Sequence, residues 1–269
     1  MDQPLFLLIL GFVISLYGTI VGAGGGFLLV PALLLLYPED SPRTITTISL
    51  AAVALNAMSG TLAYARLRRL RFPMVLYLGA ASLPAAAMGA WATRLLPRGW
   101  FDLAFGLFML ALVGILLVNR PTLRSHPVHP SGALGIDEPP VPRLDGWLLG
   151  AVGFADGLLS NLAGIGGGPV LMPLLLRVLH LPLPTAVATS TFVIMLASLT
   201  GLASHAVAGD FDFELGRILL IAAGVLPGAQ VGAHLAGRIS PRVVVILLVV
   251  GMAIVAGRLA VAGTTTLLQ

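Results

Sequence analysis

The chain has no cysteine and no lysine, and little charge of either sign: charged side chains make up 10% of its 269 residues. A soluble domain carries about 25%, so this composition cannot cover a soluble surface. A soluble enzyme, a disordered chain and a free-standing nucleic-acid binder are excluded. Without cysteine there is no disulfide, no Cys-based zinc site and no thiol chemistry. Without lysine there is no G-x-x-x-x-G-K-[ST] loop, so ATP hydrolysis would need a separate subunit. The formal net charge of +4 and pI near 10.3 are carried entirely by arginine, mostly between apolar segments. That placement matches the orientation bias of membrane loops rather than a nucleic-acid surface.

What is present is apolar sequence: 58% of the residues, with a mean hydropathy of +1.00. Apolar stretches cover 5–37, 44–65, 72–93, 100–118, 146–179, 185–208, 216–236 and 243–262. The start, Met1-Asp2-Gln3-Pro4, has no basic region and no small-residue cleavage site, so the stretch from Leu5 reads as a retained membrane segment. Six of the stretches suit the ~20 residues of a spanning helix. The first and fifth are too long; a straight helix over 5–37 would measure about 50 Å, against a hydrocarbon core of ~30 Å. Each is interrupted by glycine, at Gly22-Ala23-Gly24-Gly25-Gly26 and Gly164-Ile165-Gly166-Gly167-Gly168. Each then resumes as a short apolar helix, from Phe27 or from Pro169.

The two interruptions belong to a repeat. A shift of 142 residues puts Gly11-Phe12 on Gly153-Phe154, Gly24-Gly25-Gly26 on Gly166-Gly167-Gly168, Pro31 on Pro173, Thr47 on Thr189 and Ser49 on Thr191. With one further residue of slip, Leu83-Pro84 falls on Leu226-Pro227. The chain divides into a first membrane repeat (1–119), a proline-rich linker (120–144) and a second membrane repeat (145–269). Arg66, Arg68, Arg69 and Arg71 in one loop, and Arg120, Arg124 and Arg143 around the linker, place both on the cytoplasmic side. The expected fold is an all-α polytopic membrane protein of two homologous halves. Each half has a glycine-broken helix, re-entrant or spanning, and three transmembrane helices. If the broken segments are re-entrant, each half crosses three times and the halves are inverted. Interrupted segments at matching places in two repeats point to a transport site at their interface.

Backbone that stops being helical inside a bilayer must be satisfied by protein or by a wet cavity. A helix starting there offers unpaired N–H groups and the positive end of a dipole, which favours an anion. Gly24, Gly25, Gly26, Gly166, Gly167 and Gly168 are therefore candidate substrate residues, leaving the backbone bare. The competing reading is close helix packing by small residues. Thr47, Ser49, Thr189, Ser190 and Thr191 offer hydroxyls, unless these bond back to their own helix. Asn56, Asn161 and Gln230 suit either substrate contact or interhelical bonding. Asp156, whose repeat mate is Ile14, and His205 are candidates for a coupling proton or cation. Arg94 and Arg217 read as helix-end anchors. No metal-ligand spacing is found, and no cofactor is expected. A Ser160–His205 nucleophile pair lacks a flanking G-x-S-x-G pattern.

The glycine motif Gly22-Ala23-Gly24-Gly25-Gly26-Phe27-Leu28-Leu29-Val30-Pro31, its copy at 164–173 and Ala188-Thr189-Ser190 give the chain a resemblance to the sulfite exporter TauE/SafE family of membrane transporters. The resemblance spans nearly everything but the linker. It implies a secondary transporter of the cytoplasmic membrane for sulfite or an organosulfonate, with export the expected direction. A proton or sodium gradient, or the membrane potential alone, would drive it. Two departures stand out, Ile48 against Ser190 and Phe27 against Pro169. A passive anion channel is the alternative, and the oligomeric state, a homo-oligomer included, is left open.

Overall fold

In the computed structural model, residues 4–66, 72–118, 146–177, 183–209 and 215–236 are described, with Leu181 and scattered positions between 243 and 258. The linker, most of the arginine loop and much of the eighth apolar stretch lie outside the described residues. All regular structure among the described residues is helical: α1 (Pro4–Val21), α2 (Gly26–Leu36), α3 (Pro42–Arg66), α4 (Phe72–Ala92), α5 (Arg98–Val118), α6 (Gly146–Leu162), α7 (Gly168–Arg177), α8 (Leu183–Val207) and α9 (Leu215–Ala236). A 3-10 turn, Thr93–Leu95, follows α4.

The halves repeat the same series of elements. An opening helix of 18 or 17 residues leads through a glycine turn into a short helix of 11 or 10. A helix of 25 residues follows in each half. Then comes a helix of 21 or 22 residues holding an internal proline, Pro84 or Pro227. Five helices are long and apolar enough to cross a membrane by length and composition. Of these, Pro42–Arg66 is 83% buried over its most apolar window, against 44% for Pro4–Val21, so α3 is a central element. Apolar side chains also face outward: Leu5, Ile9, Leu76, Leu107 and Leu219 are exposed, as are all three tryptophans, Trp91, Trp100 and Trp147. An apolar exterior with aromatic residues near helix ends is the surface a bilayer solvates.

The first helix of each half packs on the fourth helix of the other half: α1 on α9, and α6 on α4. Glycine makes these contacts close. A Cβ on Gly11 would lie 2.4 Å from the Ile221 carbonyl oxygen, and one on Gly224 would lie 2.0 Å from that of Leu8. Gly153 and Gly157 meet the carbonyls of Leu78 and Ser82 in the same way. The order of contacts (Leu8 with Gly224, Phe12 with Gly228, Leu16 with Gly232) makes α1 and α9 parallel. Between them, α3 packs on α8 in opposite order, Leu50 meeting Gly201 and Gly60 meeting Thr191.

Past α2, the chain reaches Asp40, whose carboxylate pairs with Arg217 at 2.5 Å, and Tyr37, whose ring carries the same guanidinium 4.1 Å from its centroid. Arg217 opens α9 level with the start of α1, so α2 carries the chain back toward the side from which α1 set out.

Candidate anion site

Both long segments break at the glycines. Gly22, Gly24 and Gly25 have φ between 72° and 80°, and Gly164, Gly166 and Gly167 have φ of 69°, 76° and 126°. This is backbone that side chains with a Cβ rarely adopt. The short helices begin one residue before the expected Phe27 and Pro169. The reason is that the carbonyls of Gly25 and Gly167 accept the first bonds, from Leu28 and Leu29 at 3.1 Å and from Val170 and Leu171 at 3.1 and 3.0 Å. The amides of Gly26 and Phe27, and of Gly168, precede those bonds and form no backbone hydrogen bond among the described residues. They are the donors that a helix start leaves over.

The two turns meet. A Cβ on Gly26 would lie 2.5 Å from the carbonyl oxygen of Ile165, and one on Gly168 would lie 2.0 Å from the Ala23 Cα. Gly26 and Gly168 thus serve close packing of one turn on the other, whereas Gly25 and Gly167 serve the bend. Val53 of α3 lies against Gly24, Gly26 and Gly166, and Ile194 of α8 lies against Gly24 and Gly167. These two apolar side chains close the centre in this conformation.

Asn56 fixes the first turn. Its Oδ1 accepts the hydroxyls of Ser15 and Thr19, each at 2.8 Å, and its Nδ2 donates to the Gly24 carbonyl at 2.7 Å. The Ser15 hydroxyl also lies 2.7 Å from the Val225 carbonyl, and Tyr64 donates to the Thr19 carbonyl at 3.2 Å. Sequence reasoning did not single out Ser15 or Thr19. The signal was there, two hydroxyls one helical turn apart in an otherwise apolar α1, without anything local to name Asn56 as their partner.

The remaining candidates divide. Thr47 and Thr191 bond back to the carbonyls of Arg43 and Val187 at 2.8 and 2.7 Å. Ser190 reaches the Gly22 carbonyl at 2.6 Å and so braces the first turn from the other half. The hydroxyls of Ser49 and Thr189 are buried with no hydrogen-bond partner among the described residues. Asn161 donates to the Gly157 carbonyl at 3.0 Å, while its Oδ1 has no partner among the described residues and faces Gly201. Gln230 donates to the Ser59 hydroxyl at 2.6 Å, joining α9 to α3 rather than reaching a glycine turn. Arg217 is held by Asp40, and Arg94 approaches the Ser204 carbonyl at 3.5 Å. His205 is buried in the last turn of α8, one turn beyond Gly201.

Asp156 is fully buried in α6 and stands beside the second turn. Its Oδ1 accepts the Ser160 hydroxyl at 3.2 Å, so Ser160 is paired with a carboxylate and not with His205. Its Oδ2 has no partner among the described residues, and lies 2.9 Å from where Gly167 would carry a Cβ.

The arrangement is one of doubled half-helix starts inside an apolar helical bundle. The family model for the sulfite exporter TauE/SafE matches residues 7–259, which takes in both glycine turns and every helix that packs on them. The chain belongs to the sulfite exporter TauE/SafE family. Relatives described as probable membrane transporter proteins cover most of its length. It is 29% identical over 244 residues to the probable membrane transporter protein YunE of Bacillus subtilis, covering 87% of each chain. A probable membrane transporter protein of Methanocaldococcus jannaschii is 26% identical, with 88% of this chain and 87% of that one covered. YjnA of Bacillus subtilis, with the same description, is 24% identical over 88% and 91%. No solved structure matches. As a member of this family the chain is a membrane transporter, a multi-pass helical protein of the cytoplasmic membrane.

Proposed function

We propose that the chain is a secondary transporter that moves a small sulfur-containing anion, sulfite or an organosulfonate, outward across the cytoplasmic membrane. The observation that carries this reading is the convergence of the two glycine turns, Gly26 on Ile165 and Gly168 on Ala23, with unpaired amides at the start of both short helices. Amides and helix dipoles aimed at one place favour negative charge. Sulfite and sulfonates offer several acceptor oxygens to such donors. Ser49 and Thr189 have buried hydroxyls free to add to the set.

The topology belongs to the same proposal. The two membrane repeats, 1–119 and 145–269, are inverted about the cytoplasmic linker. The opposite order of α3 and α8 supports this, since the two would run the same way if both glycine-broken segments spanned the membrane. The return of α2 toward the start of α1 supports a re-entrant hairpin. Transport then exchanges which repeat packs tightly at the centre, and Val53 and Ile194 withdraw to admit the anion. Direct packing of the turns favours a carrier over an open channel. Asp156 and His205 are the buried candidates for a coupling proton.

Purified protein in liposomes tests the reading. Saturable, gradient-dependent flux of radiolabelled sulfite or isethionate is the expected result. Flux that rises linearly with concentration would replace the carrier by a channel, and flux no greater than that of empty liposomes would defeat the proposal.

A further inference from the structure

The two turns share a backbone and differ in what faces it. In the first half the Ile14 methyl, Cγ2, stands 3.1 Å from the Cβ position of Gly25. Its mate Asp156 presents a carboxylate to Gly167, at 2.9 Å for Oδ2 and 3.3 Å for Oδ1. The carboxylate is fully buried, and Oδ2 has no hydrogen-bond partner among the described residues. Just ahead of it lies the Gly168 amide, at the positive end of α7. A helix start attracts negative charge, and here the chain supplies one from within.

Few other titratable groups face this carboxylate. Ser160 is its hydrogen-bond partner, and α6 carries no second ionisable side chain. Of the helices packed on α6, α4 contributes only Tyr77, which is exposed and near Gly146 at the opposite end. On α7 the single charge is Arg177, at the far end of that helix. On α8 it is His205, eleven residues past Ile194, or about 16 Å along the helix at ~1.5 Å per residue.

We propose that Asp156 is the resident anion of the second glycine turn: ionised, it holds the start of α7 in place of cargo, and a cargo anion binds there together with one proton taken onto Asp156 Oδ2. This rests on the anion-carrier reading and specifies its coupling. A second negative charge beside a buried carboxylate meets strong repulsion in a medium of low dielectric. Protonation removes the repulsion and leaves the helix start free for the incoming oxyanion. The first turn, lined by Ile14, offers its amides to the same anion and takes up no proton of its own. The cycle therefore carries one proton with each anion, and the site is one-sided despite its duplicated backbone.

The test uses methanesulfonate, whose own charge does not change across the physiological pH range, so any pH dependence belongs to the protein. Binding to the purified full chain is measured by calorimetry between about pH 5 and pH 8. Above the pH at which Asp156 ionises, wild-type affinity falls about tenfold per pH unit, as a single linked proton requires. Asp156→Asn binds equally well at every pH, and methanesulfonate flux through it no longer responds to a pH gradient. Wild-type binding that is flat across this range overturns the inference while leaving the anion site in place. So does full pH dependence surviving in Asp156→Asn, or affinity that follows sodium and not pH. The wild-type profile needs no variant to fold. Absence of binding by methanesulfonate, sulfite and isethionate at every pH defeats the anion reading itself, and this inference with it.

Discussion

The first glycine turn is held by a neutral network, whereas the second has a carboxylate standing beside it. Around Gly24, the Asn56 amide gathers Ser15, Thr19 and a backbone carbonyl into one closed set of hydrogen bonds. At the equivalent place in the second half stands Ser198, which spends its hydroxyl on the Ile194 carbonyl of its own helix at 2.5 Å. The second turn instead has Asp156 beside Gly167, with one oxygen unpaired. A duplicated backbone has kept its bends and exchanged its supports. The same fold gives one turn closed by neutral hydrogen bonds and one with a buried carboxylate against it.

The largest effect should come from filling the bends. Gly25→Leu or Gly167→Leu forces a side chain into left-handed backbone, against Ile14 in one case and Asp156 in the other, and costs roughly 2–4 kcal/mol for conformation and overpacking together. Sulfite flux falls to that of empty liposomes in both, while membrane insertion and elution as a folded species persist. Normal flux in either would remove that turn from the site.

Removing the neutral network sharpens the comparison. Asn56→Ala takes their partner from the buried Thr19 hydroxyl and the Gly24 carbonyl and leaves Ser15 with the Val225 carbonyl alone, at about 1–3 kcal/mol for each group left unsatisfied. Its melting temperature in detergent drops well below that of Ser198→Ala, which loses one bond within a helix. Equal melting of the two variants would show that the first turn does not depend on Asn56.

A smaller change opens the centre. Val53→Ala deletes two methyls between the turns and costs about 1–3 kcal/mol as a cavity. Faster sulfite flux at saturating concentration is the outcome if withdrawal of this side chain limits access, and unchanged flux would place the barrier elsewhere. The least effect is expected from Arg217→Ala. Its ion pair with Asp40 is partly exposed and contributes no more than ~1 kcal/mol. Equilibrium stability barely moves, and a loss of several kcal/mol would mark this pair as a true clamp between the halves.

Much of the architecture could be read from the residues. The breaks at 22–26 and 164–168 follow from segments too long for a bilayer and too rich in glycine for one helix, and the helices fall within two residues of the expected ends at most boundaries. The repeat could be read because glycine and proline mark backbone geometry, which an apolar composition otherwise hides. The crossed packing of α1 on α9 and of α6 on α4 could not. Apolar faces in a membrane carry little directional signal, and small residues suit any close neighbour. The partners of individual polar groups were equally hidden. Nothing near Thr47 or Thr191 indicates that each bonds to its own helix, and nothing near Asn56 points to Ser15. The meeting of Asp156 with Gly167 depends on the closure of a hairpin, which the shared backbone pattern suggested only in outline.

The crossed packing also governs how the molecule is made. Ser15 and the Val225 carbonyl that it touches are 210 residues apart, so α1 is inserted long before α9 exists. During synthesis the glycine-lined face of α1 must wait in lipid, and α4 waits likewise for α6. A ribosome stalled within the linker would leave α1, α3 and α4 without their partners in the second half. Two fragments translated from separate messages should find each other only when both are in the same bilayer.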